Sequence, residues 1–266
     1  MSIRLAVSVL YELGFNVIPV DADKKPVGSW GSDKRLPWEE LEKRLAKASG
    51  VAITGKYLED ENYGVIVLDL DDVDAASEVL AKVFGEDWAV RLCGQTWSFC
   101  GFTGPRPKGR VACDCKSPSE DCDCVVQDTG EHRKLSELQR GMYIVVRVPK
   151  RCLPSGTVRS GAIEIMATNY EVVYGRHPSG AFYQPVKYVN GHWKPIGIED
   201  VGQGEVITCD ELKTLTALVK QSTTNILEEL GREDAKTAAE LGLPEPTKEL
   251  SETAINQIIN SVKPIW

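Results

Sequence analysis

An α+β fold is predicted by three features of this 266-residue chain. A helical, apolar-rich pattern opens it, short apolar runs bounded by glycine, proline and charge fill its middle, and from Cys209 the pattern turns helical again. The most informative run is Gly64-Val65-Ile66-Val67-Leu68-Asp69-Leu70-Asp71-Asp72, a buried strand leading straight into carboxylates spaced i, i+2. On a strand that spacing puts Asp69 and Asp71 on one face and turns Leu70 to the other. Two acids on one side of a sheet repel each other and are costly to bury unless a cation sits between them. The pattern suits hard divalent ions, which take oxygen ligands and, as Mg²⁺, are often completed by substrate phosphates. The plainer alternative is a strand ending at an acidic, solvated turn helped by Asp72 and Asp74.

The elements follow in order. Ser2 to Phe15 reads as a largely buried helix with a narrow polar face at Arg4, Ser8 and Glu12. Asn16 to Val20 is a strand, Asp21 to Pro26 a polar loop, and Pro37 to Ala48 a helix with acids early and Lys/Arg late, as the helix dipole favours. Gly50 to Gly55 is a buried strand, 64–70 the acid-bearing strand, and Asp74 is expected to cap a helix from Ala75 to Phe84. Residues 98–138, rich in Gly, Pro, Cys and charge, read as irregular. Strands are expected at Met142–Val148, Ala162–Met166 and Glu171–Tyr174. Phe182–Tyr188 and His192–Ile196 form a hairpin around the type I′ turn signal Asn190-Gly191. Helices are expected over 209–221, 223–231, 233–241 and 251–262. The domain division that results is a body over 1–208, containing the cysteine-rich insertion 98–138, and a helical segment over 209–266.

Composition narrows the function. No apolar run approaches the roughly 18–20 residues of a membrane span, and the N-terminus lacks the basic head and cleavage site of a signal peptide. A cytoplasmic protein is expected. The net charge of −8 argues against a protein that coats nucleic acid non-specifically. Residues 91–160, however, hold 12 Lys/Arg against 7 Asp/Glu, enough for a local phosphate-binding surface. Eight cysteines, four of them within twelve residues, point to metal or, in a hyperthermophile, to intracellular disulfides.

Four constellations carry candidate chemistry. Cys113, Cys115, Cys122 and Cys124 would all project from one face if 113–115 pairs with 122–124, close enough for tetrahedral Zn²⁺ or for two cross-strand disulfides, 113–124 and 115–122. His132, Cys100 and Cys93 could replace one ligand. Glu164, flanked by Ile163 and Ile165, could complete a three-carboxylate site if its strand lies beside 64–71; otherwise it is a solvent-facing strand residue. Arg176 and His177, in the loop Tyr174 to Gly180, could hold a triphosphate through charge-assisted hydrogen bonds or could simply be exposed. The basic loop with Arg106, Lys108 and Arg110 is either solvated charge or a contact to template phosphates.

Taken in order, these elements resemble the primase–polymerase domain of archaeal plasmid replication proteins, in the archaeo-eukaryotic primase superfamily. The matching residues are Gly14 to Val20, Lys25-Pro26, Trp30, Val51 to Gly55, Asp69-Leu70-Asp71, Tyr143 to Pro149, Glu164, and Val172 to Gly180. The resemblance implies a mixed, RRM-like catalytic sheet with an inserted zinc-stem hairpin and the start of a template-binding helical domain. It implies that Asp69, Asp71 and Glu164 hold two Mg²⁺ or Mn²⁺ ions for attack of a 3′-hydroxyl on the α-phosphate of an incoming nucleotide. It further implies a single-stranded DNA template, nucleoside triphosphate substrates, a monomer, and a helicase domain in the full-length protein. One departure stands out: where the family's second motif has a phosphate-contacting histidine, this chain has Tyr143, or Met142 if the alignment slips by one residue. Phosphate binding would then fall to Tyr143 itself, Arg140, Arg147, Arg176 or His177.

Two other readings compete. A replication module that kept the fold and lost the chemistry would explain the missing histidine, but not the three acids. A haloacid-dehalogenase-type phosphatase also places acids i, i+2 after an apolar strand, with Asp69 as nucleophile. It would need a downstream catalytic lysine and an acidic Mg²⁺ loop, for which the chain has no convincing counterpart in order.

Overall fold

The structure, a computed structural model, describes residues 2–221 apart from 108, 119 and 161. Lys108 and the helices expected over 223–231, 233–241 and 251–262 lie outside the described residues. The chain divides into two compact units, Met1–Lys220 and Gln221–Trp266.

Helix α1 (Ile3–Glu12) starts at Ser2, whose hydroxyl accepts the Leu5 N–H, and buries Ala6, Val7 and Leu10. Strand β1 (Phe15–Val20) follows. Helix α2 (Trp38–Leu45) carries Glu39 and Glu40 in its first turn and Lys43 and Arg44 in its last, matching its dipole. Next come β2 (Gly50–Leu58) and β3 (Tyr63–Leu70). Helix α3 (Val73–Phe84) begins two residues earlier than expected, because Asp72 rather than Asp74 caps it: the Asp72 carboxylate accepts the Ala75 N–H at 3.1 Å. Helix α4 (Trp88–Cys93) leads into the stretch expected to be irregular. That stretch instead holds β4 (Phe99–Pro105), β5 (Val111–Cys113), β6 (Asp123–Val126) and β7 (Glu131–Lys134). The remaining strands are β8 (Arg140–Pro149), β9 (Val158–Arg159), β10 (Ile163–Met166), β11 (Tyr170–Arg176), β12 (Phe182–Val189), β13 (His192–Pro195) and β14 (Glu205–Val206). Helix α5 begins at Cys209. Its Leu212, Leu215 and Val219 are buried and the Cys152–Cys209 disulfide tethers its first residue, so the first unit runs on past residue 208.

The main sheet has the order β1-β2-β11-β12-β4-β8-β3-β10-β9, with β13 beside β12 and β14 beside β8. Every pairing is antiparallel except that of β14 with β8. Strands β12 and β13 form the expected hairpin, and Asn190 and Gly191 both take the positive φ that a type I′ turn requires. Strands β5, β6 and β7 make a separate small sheet.

The main sheet curls. Gly55 on β2 approaches the backbone at Met166 and Ala167 after β10 so closely that a Cβ would fall within 2.5 Å of the Met166 carbonyl oxygen. Inside the curl, Val65 and Val67 of β3 join α1, β1, β2, Phe99, Tyr143 and Tyr183 in one core. On the outer face, Ile66, Leu68 and Leu70 join α3, α4, Ile144, Ile163 and Leu215 in a second. Strand β3 therefore has two buried faces, which is why it reads as a continuous apolar run. Asp69 and Asp71 continue the inner face where it opens to solvent.

Candidate active site

The antiparallel ladder of β3 and β10 sets Glu164 directly opposite Asp69. Residues so paired have Cβ atoms about 4.5–5.5 Å apart on the same face. Asp71 follows two positions on, past the Leu70–Ile163 pair, its N–H bonded to the Ala162 carbonyl at 3.0 Å. The three carboxylates thus share one face at the end of β3. Arginines already sit beside two of them. Arg106 is ion-paired with Asp71, and Arg159 pairs with Glu164 at 2.9 Å.

Asp69 and Asp71 line a cleft of about 280 Å³ at the mouth of the inner face, close to the lower bound for ligand pockets. Glu164 stands outside its wall. Lys24, Arg106, Glu171, His177 and Tyr183 line it too, along with the polar Thr103, Asn169 and Tyr170. Lys24 is held in the left-handed region (φ 64) by the Asp21 turn and by Tyr170, whose hydroxyl donates to its carbonyl at 3.1 Å. Burial, then the nearby Glu171 and Asp69 carboxylates, push the Tyr183 phenol well above its ordinary value, so it remains a hydrogen-bond donor. His177 is buried at the 9% level, and its Nδ1 accepts the Ser179 N–H at 3.1 Å. A backbone N–H can only donate, so the neutral ring carries its proton on Nε2.

Strand β4 forms the cleft floor, and its glycines explain themselves there. A Cβ on Gly101 would lie 2.3 Å from the Tyr143 ring, and one on Gly104 would lie 2.2 Å from the His177 ring. Both rings pack flush over a bare backbone.

Most of the expected phosphate-binding residues are engaged elsewhere. Tyr143 is wholly buried, and its hydroxyl donates to the Val173 carbonyl at 2.9 Å. Val173 lies at a register shift between β11 and β2, so the tyrosine hydroxyl supports the extra residue of a bulge. Arg140 donates to the Thr103 carbonyl at 2.9 Å and to the Phe182 carbonyl at 2.5 Å, joining β4, β8 and β12. Burial pushes its pKa down to about 10. Arg147 lies four residues along β8 from Tyr143, about 13 Å away at strand rise, and donates to the Gly204 carbonyl at 3.0 Å. Arg176 donates to the Cys115 carbonyl at 2.8 Å. Of the five, His177 alone lines the cleft. In the basic loop, Arg106 turns into the cleft, while Arg110 pairs with Asp128 at 2.8 Å on the surface.

The cysteine hairpin pairs as Cys113–Cys124 and Cys115–Cys122, the cross-strand alternative to zinc. Cys93 bonds to Cys100, so neither is a spare ligand. Although Cys113, Cys115 and Cys122 bring their sulfurs within 4.8 Å of one another, disulfide sulfur offers no thiolate, and this oxidised donor set does not fit Zn²⁺. His132 is exposed on β7.

Lys24, Glu171 and Tyr183 were not singled out by the sequence. Lys24 stands next to the noted Lys25-Pro26, the one local signal that pointed near it.

Carboxylates sharing a face beside a lysine, an arginine and an imidazole define a domain equipped for divalent cations and phosphates. The chain belongs to the Prim-Pol family: the family model described as bifunctional DNA primase/polymerase, N-terminal, matches residues 6–196. Membership implies DNA primase and polymerase function in general, with DNA and nucleotides as partners and divalent metal ions as the family's usual cofactors. No curated protein matches the chain. Among the described residues no helix is long and apolar enough to cross a membrane.

Proposed function

We propose that the chain is a template-directed nucleotidyltransferase, joining a primer 3′-hydroxyl, or that of an initiating nucleotide, to the α-phosphate of a nucleoside triphosphate with release of pyrophosphate. The observation that carries this is the placement of Glu164 opposite Asp69, on the face where Asp69 and Asp71 meet the cleft. Asp69, Asp71 and Glu164 have the oxygen donors to hold Mg²⁺ or Mn²⁺, which when bound would activate the attacking hydroxyl and neutralise developing charge on phosphate. Arg106 is the internal counter-ion of Asp71 before cations arrive and a ligand for the triphosphate afterwards. Lys24 and His177 flank the same cleft, and the His177 Nε2–H is the donor a phosphate oxygen would accept. In this reading His177 takes the role that the family's second-motif histidine has elsewhere, because Tyr143 has become part of the core. Residues 1–208 with α5 make the catalytic body, and the chain beyond adds template contacts. Arg110 and Lys108 belong to the template side. An archaeal plasmid origin and a helicase region in the full-length protein are part of the same proposal.

The test is incorporation of labelled nucleotide on a single-stranded template with Mg²⁺ or Mn²⁺. The double variant Asp69→Asn, Asp71→Asn should lose at least about a thousandfold in rate, as expected when charge stabilisation at the reacting centre is removed. Undiminished synthesis by that variant would overturn the assignment. Release of phosphate from a small ester without template would favour a phosphatase.

A further inference from the structure

The cysteine hairpin and the loop carrying His177 form a single packing unit. Val111, Cys115, Cys122, Cys124 and Leu135 make a small core of their own, and Ala181 from the β11–β12 loop is buried among them, with Phe182 packed alongside. Polar contacts reinforce the seam. The Cys113 N–H donates to the Ser179 carbonyl at 2.6 Å, and Arg176 donates to the Cys115 carbonyl at 2.8 Å. Gly180 (φ +91) passes so close beneath Cys113 that a Cβ would lie 2.0 Å from its carbonyl oxygen. The loop closes on itself through the His177 N–H to the Ala181 carbonyl at 2.7 Å and the Gly180 N–H to the His177 carbonyl at 2.8 Å. One wall of the cleft therefore rests on the hairpin as well as on the main sheet.

The hairpin has little else to hold it. Its strands are three, four and four residues long, and every residue of β7 is exposed. A sheet of that size buries too little apolar surface to be stable by itself. Two disulfides, closing separations of 11 and 7 residues, supply the missing constraint.

We propose that the Cys113–Cys124 and Cys115–Cys122 disulfides clasp the His177 wall in its cleft-forming shape, so that their reduction by a dithiol loosens that wall and weakens nucleoside triphosphate binding. The effect on binding rests on the nucleotide reading of the cleft; the effect on the wall does not. The exchange balances in the ordinary way. A thiolate of the reductant attacks the Cys113 sulfur and expels the Cys124 thiolate, and its second thiol then frees Cys113, leaving two cysteine thiols and an oxidised reductant. Cys113 is the half-buried partner, whereas Cys115, Cys122 and Cys124 are at most 3% exposed, so exchange begins at Cys113–Cys124. The thiol poise of the surroundings would then set substrate affinity.

The test uses the full chain, oxidised and then reduced with dithiothreitol in zinc-free buffer. It reads amide hydrogen exchange over 176–182 together with binding of a fluorescent nucleoside triphosphate in Mn²⁺. Reduction should speed exchange in the loop about tenfold while β3 stays protected, and should weaken nucleotide binding about tenfold, as expected when one local unit opens. The variant Cys113→Ser, Cys115→Ser, Cys122→Ser, Cys124→Ser should match the reduced protein with or without dithiol. Unchanged loop exchange on reduction overturns the proposal. So does an equal loss of protection in β3, or a four-serine variant that still responds fully to dithiol, which would assign the effect to Cys93–Cys100 or Cys152–Cys209. If the loop responds but the oxidised protein binds no nucleotide, the clasp stands and the nucleotide reading fails.

Discussion

Tyr143→Phe separates a structural tyrosine from a substrate-binding one. The substitution keeps the ring over Gly101 and removes only the hydroxyl, leaving the fully buried Val173 carbonyl without its 2.9 Å donor. Stranding a buried acceptor costs about 1–3 kcal/mol. For a body of this size each kcal/mol shifts the melting midpoint by about 2–4 °C, so a cost near ~2 kcal/mol means a fall of about 4–8 °C. Thermal melts followed by circular dichroism, with disulfides intact, measure it. Affinity for nucleoside triphosphate should stay within about twofold of the parent, since the phenol does not reach the cleft. An unchanged midpoint with a nucleotide affinity reduced tenfold or more would refute the reasoning and return Tyr143 to the substrate site.

Two further outcomes follow from charged pairs. Arg106→Gln, by removing the guanidinium beside Asp71, should strengthen Mn²⁺ binding in the absence of nucleotide and weaken triphosphate binding about tenfold, roughly the worth of one charge-assisted contact; isothermal titration with each ligand checks both signs. Burial raises the Glu211 carboxyl, but hydrogen bonds from Arg91 and Thr208 outweigh it and hold its pKa below the ordinary value. Because the folded value is the lower one, the pair stabilises the docking of α5 above the unfolded glutamate pKa, and the contribution disappears as pH falls through the folded one. The melting deficit of Glu211→Gln should therefore be present near neutrality and vanish in acid, once pH has fallen below the depressed folded pKa; a deficit that persists there would contradict the assignment.

The parts of the fold readable in the sequence are those with a period. Strand β3 declared itself because both of its faces are buried, and the i, i+2 carboxylates kept the strand's phase beyond the last valine. Glu164 was legible for the same reason, as a lone acid between isoleucines. Strand β4 was not, although it lies at the centre of the sheet. Gly101, Gly104 and Pro105 look like loop residues until the Tyr143 and His177 rings are seen lying on them. The placement of the arginines had no signal in the sequence. A guanidinium beside a motif suggests a phosphate ligand, yet Arg140, Arg147 and Arg176 each donate to backbone carbonyls that sheet edges and turns leave open. Lys24 and Glu171 reach the cleft only through the curl that brings the start of the chain and β11 over β3, a long-range event with no local pattern.

The two-sided packing of β3 also bears on how the acids tolerate change nearby. Sliding this strand by a single residue would exchange Val67 and Asp69 for Leu68 and Leu70 on the inner face, driving carboxylates into the layer beneath α3 and α4. The phase of the acids is therefore held by apolar side chains buried in two separate layers, not by the loops around them.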